Sequence, residues 1–379
     1  MSARTSSGPG ALTRVFGSQW FVSVLAVIIA FAIGAILIAL SGASVLDAYY
    51  AMFRGSIVDP NASTFVRQIK PLTDSLFYSI PLIISGLGLA LGFRAGLFNI
   101  GGKGQIIVGA LAAVWVGFSL NLPPVVHTLV ALLVAVIAGG LYGGIAGVLK
   151  AKTGANEVIV TIMLNSIATL GLGYTLAQKA WQVPGTNQPV TPQVAESAAL
   201  ARLLPAPFKL HVGFLVALVA LVAFWWLIER STLGFQIRAV GANAAAARTA
   251  GISVERITAI TMVLSGAFLG LAGANEALGT IGYVSRDVAG SIGFDAITVA
   301  LLGRNKTWGT FGAGLLFGAF KAGGYTMQAK GVPIDMILIL QSVIVLLIAA
   351  PALVRWLFRL PDARALAART RKGDADEHK

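Results

Sequence analysis

The chain has 379 residues, 56% of them hydrophobic and only 11% charged, and a net charge of +13. A soluble domain keeps about a quarter of its residues charged, so lipid must cover much of this surface and a water-soluble globular fold is excluded. With no cysteine, disulfide frameworks and thiolate chemistry are excluded too, and the basic balance fits Lys/Arg-rich cytoplasmic loops rather than a nucleic-acid partner.

Residues 1–19 are polar and rich in Ser and Gly, an N-terminal segment that the Lys/Arg distribution below puts in the cytoplasm. The apolar run after it, 20–40, is too long for a signal-peptide core and has no small-residue cleavage site, so it reads as the first span. Further apolar runs fall at 72–93, 105–120, 125–149, 158–176, 211–228, 257–278, 293–303, 309–324 and 333–354. A helix needs about 20 apolar residues to cross the hydrocarbon core, and most of these runs approach that. The expectation is an all-α, polytopic transmembrane helical bundle of about ten spans over 20–354. Run 105–120 is marginal, and 293–303 is so short that it either spans incompletely or forms a re-entrant half-helix inside the bundle.

Between the runs, two long connections are expected on the outer face. One covers 41–71; the other, 177–209, carries Pro184, Pro189, Pro192, Pro205 and Pro207 and reads as a structured cap. The longest inner connection is 229–256. Within it Asn243-Ala-Ala-Ala-Ala-Arg248 is a strong helix former between Gly241 and Gly251, with Asn243 placed as the N-cap. Alternating the loops from a cytoplasmic N-terminus puts 19 of the 28 Lys and Arg inside, which gives N-in and C-in. Residues 355–379 form a charged, solvated cytoplasmic tail.

Chemistry-bearing residues are few. No phosphate-binding Gly-x-x-x-x-Gly-Lys-Ser/Thr is present, so the chain is expected to hydrolyse no ATP of its own, and the three histidines are far apart in sequence. No enzyme reading and no metal site follow. Ionisable residues inside spans mark function by default, and four stand out. Asp74 and Asp335 lie near span ends, where they reach water; Glu276 lies near the outer end of its span; Asp295 begins the short run. Glu276 and Asp295 either line a pathway or cap helices. Thr161, Asn165 and Thr169 recur every four residues and share one helix face, a stripe that either ties helices together or lines a polar passage.

Three sequence blocks carry a family resemblance. They are Gly92-Phe-Arg-Ala-Gly-Leu-Phe-Asn-Ile-Gly-Gly-Lys-Gly-Gln105, Ala155-Asn-Glu-Val-Ile-Val-Thr-Ile-Met-Leu-Asn165, and Ala239-Val-Gly-Ala-Asn-Ala-Ala-Ala-Ala-Arg-Thr-Ala-Gly-Ile252 running into Leu264-Ser-Gly-Ala267. A fourth is Gly293-Phe-Asp-Ala-Ile-Thr-Val-Ala-Leu-Leu-Gly-Arg-Asn305. Together they resemble ABC transporter permeases of the branched-chain amino acid/ribose type, and more closely the simple-sugar and nucleoside branch that works with a basic-membrane-protein lipoprotein. The likeness covers about 72–351. Two departures stand out: Lys103 occupies a position where the family often has an acidic residue, and Ala242-Asn243-Ala244 replaces the usual Glu-Asn-Pro.

The resemblance implies a bacterial plasma-membrane subunit that imports a nucleoside, with a simple sugar as the alternative and an ion-coupled carrier less favoured. Its implied partners are a second homologous permease, a cytoplasmic ATPase that holds the ATP and Mg, and an external solute-binding lipoprotein; no cofactor is implied on this chain. Asn99, Thr161, Asn165, Thr169, Glu276 and Asp295 become substrate-pathway residues. Gly241, Asn243, Arg248 and Gly251 become the ATPase-coupling loop.

Overall fold

The computed structural model describes residues 19–333, 338–339, 341–343 and 346–347. Nearly all of the N-terminal segment, most of the tenth apolar run with Asp335, and the charged tail lie outside the described residues. The described residues fall into two compact units, one made of those up to Ala51 with those from Gly324 on, and the other of 52–323. In the first, α1 (Gln19–Leu40) is 22 residues long without a charge, and the Tyr49 hydroxyl donates to the Phe31 carbonyl. Tyr49 lies on α2 (Val45–Ser56), so the expected 41–71 connection contains a helix.

The second unit is helical throughout its core. Helix α3 (Phe65–Arg94) begins seven residues before the apolar run, N-capped by Thr64, and takes Pro71 and Pro81 into its interior. Composition placed Pro71 in a loop; inside a bundle, neighbouring groups satisfy the backbone that proline frees. Asp74 is correspondingly nine residues inside the helix rather than at its end, and there it pairs with Lys70 one turn earlier. Helices α4 (Gly102–Ser119), α5 (Val126–Thr153) and α6 (Glu157–Ala177) follow. Next come α7 (Gly213–Trp225), continued by a π-turn over Trp226–Arg230, then α8 (Thr232–Ala242) and α9 (Ala244–Thr249). The series ends with α10 (Val254–Asn275), continued by a π-turn over Glu276–Ile281, α11 (Ile292–Leu302) and α12 (Thr307–Gln328).

Among the described residues six helices are long and apolar enough to cross a bilayer: α3, α4, α5, α6, α7 with its π-turn, and α10 with its π-turn. Helix α11 has 11 residues, which at about 1.5 Å each reach only about half of the hydrocarbon core. Glycines let α4, α5 and α10 meet backbone to backbone. A Cβ at Gly270 would overlap the Ala135 carbonyl and Gly139, and one at Gly109 would overlap Gly270 itself. Lipid tails are as apolar as leucine, so such close van der Waals contact, rather than water exclusion, joins these helices.

The proline-rich connection is ordered. Val194 N–H donates to Gly282 O at 2.9 Å, Ala195 N–H to Gly117 O at 2.9 Å and Leu200 N–H to Leu278 O at 3.0 Å. His127 adds a bond of 2.8 Å to Ser197 Oγ. The connection therefore caps the ends of α4 and α10 together, as its prolines led one to expect.

Candidate functional site

Between α3 and α4 the chain turns and runs back into the unit as irregular backbone over residues 95–101. Irregular backbone is tolerated at membrane depth only where protein satisfies it, and here the partners can be named. Thr161 Oγ1 accepts from Ile100 N–H at 3.2 Å. Asn165 donates to Ile100 O at 2.8 Å and accepts from Gly104 N–H at 2.7 Å. Asn99 Oδ1 accepts from Gly101 N–H at 2.9 Å, while its amide donates to Gln105 at 3.1 Å and to Ser265 Oγ at 3.0 Å. Ser265 is 11 residues along α10, about 17 Å from its start at 1.5 Å per residue. The loop thus reaches well inside the bundle.

Of the polar stripe on α6, Thr161 and Asn165 therefore clamp this loop. Thr169 does not: it is exposed, and its hydroxyl bonds back to Asn165 O at 2.8 Å. Gln105 and Ser265 complete the network. Gln105 is missing from the sequence-level set because a glutamine opening an apolar run reads as a boundary residue.

The loop also sets where α4 begins. Gly102 stands against Gly293, the second residue of α11; a Cβ on Gly102 would lie 3.1 Å from Gly293 O. Two helix starts therefore meet inside the unit, which settles the short run as a half-length helix and gives the marginal run an interior start. The two carboxylates singled out in the sequence each hold a neighbouring hydroxyl. Asp295, in the first turn of α11, accepts from Ser291 Oγ at 2.6 Å. Glu276 is buried at 8% exposure and accepts from Thr280 Oγ1 at 3.3 Å.

Lys321 lies on α12, its Nζ 6.0 Å from the centre of the Tyr78 ring on α3. Lys321 was passed over in the sequence because the loop count assigned it to an outer loop, although it falls inside the run 309–324. Glu276 proves to open a π-turn rather than continue a regular helix end; such turns recur at functional sites.

The connection 229–256 contains the expected short helix. Asn243 caps α9 by accepting from Ala246 N–H at 3.1 Å, Gly251 closes it with a φ of 82°, and Arg248 pairs with Glu255 at 2.7 Å. Gly241 does more than flank α9: it lies in α8, where a Cβ would overlap the Arg94 carbonyl at the end of α3. Arg94 Nε in turn donates to Asn305 O at 2.8 Å. Asn305 and Arg304 close α11 with successive positive φ values of 54° and 53°. The connection thus touches α3 where the irregular loop starts, and α3 touches the end of α11.

Comparison with known proteins fits this arrangement. The model for the branched-chain amino acid transport system/permease component family matches residues 72–349. The chain belongs to that family. The permease is 40% identical over 349 residues to a guanosine ABC transporter permease of Bacillus subtilis, covering 89% of this chain and 95% of that one. A glucose ABC transporter permease of Haloferax volcanii is 35% identical, with 85% of each chain covered. A nucleoside ABC transporter permease of Lactococcus lactis is 31% identical, with 92% and 94% covered. No solved structure matches. The family and the six apolar helices make this a multi-pass plasma-membrane permease of the ABC type, which works with ATPase and substrate-binding partners.

Proposed function

We propose that this permease carries a nucleoside of the purine type, delivered by an external binding lipoprotein and driven by a partner ATPase that holds the ATP and Mg. The observation that carries the reading is the 40% identity to a guanosine permease across 95% of that protein's length. Side-chain chemistry supports it. Polar groups within the helices are mostly Asn, Ser and Thr, which suit a neutral solute with an apolar ring and hydroxyls. A simple sugar such as ribose is the second reading, favoured by the similarity to a glucose permease.

In this reading the chain has about ten spans over 20–354, one of them short or re-entrant, between cytoplasmic segments 1–19 and 355–379, and pairs with a second homologous permease. Glu276 and Asp295 line the passage, with Asn99, Thr161 and Asn165 holding its wall and Thr169 beside them. The connection carrying Gly241, Asn243, Arg248 and Gly251 docks on the ATPase. A push on α9 then has a short route inward, through Gly241 to Arg94 and the irregular loop and from there to the junction of α4 with α11. Packed elements with two arrangements transmit such shifts as rigid bodies.

The test is uptake of labelled guanosine, adenosine, ribose and leucine by a strain lacking this gene, with and without its restoration. Restored guanosine and adenosine uptake is the expected result. Restored leucine uptake alone would refute the substrate class, and restored ribose uptake alone would establish the second reading.

A further inference from the structure

An open groove of about 550 Å³ runs along the flank of α7, lined by Leu218, Val219, Val222, Ala223, Trp225 and Trp226. These side chains are aliphatic or aromatic, and Val219, Val222 and Trp226 are exposed. One end differs in character. The guanidinium of Arg230 stands 5.3 Å from the centre of the Trp225 ring, so the ring that lines the groove also holds a cation at its end. Arg230 is exposed and, among the described residues, forms no ion pair. Its neighbour Glu229 is engaged elsewhere, accepting from Thr307 Oγ1 of α12 at 3.4 Å.

Length fixes where these parts fall in a bilayer. From Leu218 to Trp226 the helix rises about 12 Å, and from Leu218 to Arg230 about 18 Å, at about 1.5 Å per residue. The hydrocarbon of one leaflet is about 15 Å deep. With the connection 229–256 inside, the groove lies in the inner leaflet and Arg230 reaches the level of its phosphates. Trp225 and Trp226 then fall at the boundary, where indole rings gather.

We propose that this groove binds an anionic phospholipid of the inner leaflet, one acyl chain lying along α7 and the headgroup phosphate on Arg230. A guanidinium offers a phosphate a forked pair of charge-assisted donors, and basic residues at the cytoplasmic ends of spans attract anionic headgroups. A zwitterionic lipid brings its own cation beside the same guanidinium, so a net negative headgroup is preferred. The site lies where α7 gives way to its π-turn, and such turns recur at functional sites. Ser231 follows at once and caps α8 by accepting from Gly234 N–H at 2.9 Å. A lipid held at Arg230 therefore steadies the end of α7 from which the proposed ATPase connection departs. The choice of leaflet rests on the inside placement of that connection in the reading above.

The assembled transporter is purified in mixed micelles of phosphatidylcholine and phosphatidylglycerol, and the lipids it retains are identified by native mass spectrometry. Micelles have no leaflets, so this measurement stands whichever side the connection occupies. The wild type should retain phosphatidylglycerol in preference and gain thermal stability from it. Arg230→Gln should lower the preference about fivefold, the effect of one charge near a headgroup, and lose the gain in stability. Arg230→Lys should keep most of both. Val222→Trp, which fills the groove and leaves the cation, should lower retention as well. Arg256→Gln, which removes another exposed cation of the same connection, should change neither quantity, and inorganic phosphate should not displace the lipid.

An unchanged preference in Arg230→Gln, an equal fall in Arg256→Gln, or displacement by inorganic phosphate overturns the site. The chain has no cysteine, so a nitroxide on Val222→Cys reports on the groove. Collision with oxygen dissolved in the bilayer is expected there. Protection from oxygen in the assembled transporter means that protein fills the groove, and overturns the proposal too.

Discussion

Asn165 shows how far a single residue can be read from sequence. Its spacing from Thr161 and Thr169 places all three on one face of a helix, and the face is polar, but periodicity does not say what lies against it. The partner is backbone from 61 to 65 residues away in sequence, at Ile100 and Gly104, and no local signal encodes that meeting. Lys321 teaches the complementary lesson, since an ionisable residue inside an apolar run is visible at once if loops are not assigned first. Because Asn165 satisfies two backbone groups, Asn165→Leu strands both of them inside the bundle. Interhelical hydrogen bonds in membranes are worth about 0.6–1.7 kcal/mol each, so the loss should be about 1–3 kcal/mol. Thermal unfolding of the purified complex in detergent should show a lower midpoint for Asn165→Leu. Thr169→Val should match the wild type, because its hydroxyl bonds only to its own helix; equal destabilisation by both would remove the special role given to Asn165.

At the scale of elements, helix identity was legible among the described residues wherever apolar runs were long, and helix ends mostly were not. The start of α3 was missed because Pro71 reads as a breaker, whereas its N-cap, Thr64, lies in a stretch too polar to attract notice. The start of α4 was set by a loop fold-back that no run length records. Helix α9 was legible in full, because Asn243, the alanine run and Gly251 are local signals and the structure uses all three. That helix is also where mechanical coupling can be tested. Proline at Ala246 removes the N–H that bonds to Asn243 and so deletes the cap, at a cost of about 1 kcal/mol or more. In the assembled transporter, Ala246→Pro should leave membrane insertion and basal ATP hydrolysis intact while lowering uptake at least several-fold. Wild-type uptake per ATP hydrolysed would dissociate α9 from coupling.

For the whole molecule, the sequence yields the class and a candidate sidedness, because both rest on sums over many residues. Orientation rests on the loop assignment of Lys and Arg, 19 inside and nine outside, with Lys321 of the outer set lying within α12. The internal contacts agree with a consistent sidedness. Arg94, Gly241 and Asn305, all on connections assigned to the inside, meet one another, and the proline-rich connection meets the opposite ends of α4 and α10. The choice of reporter site follows from the same contacts. Residues 191–200 are hydrogen-bonded into the cap and an insertion there would disturb it, whereas Gly185 has a φ of 79° and open space around its Cα. Alkaline phosphatase, which matures only outside the cytoplasm, should therefore be active when inserted after Gly185 and inactive when fused after Lys379. A fluorescent protein that matures in the cytoplasm should give the reverse at the two positions. If the phosphatase instead works at Lys379 and fails at Gly185, α9 lies on the outer face, no cytoplasmic ATPase can reach it, and the proposed coupling route is lost with the topology.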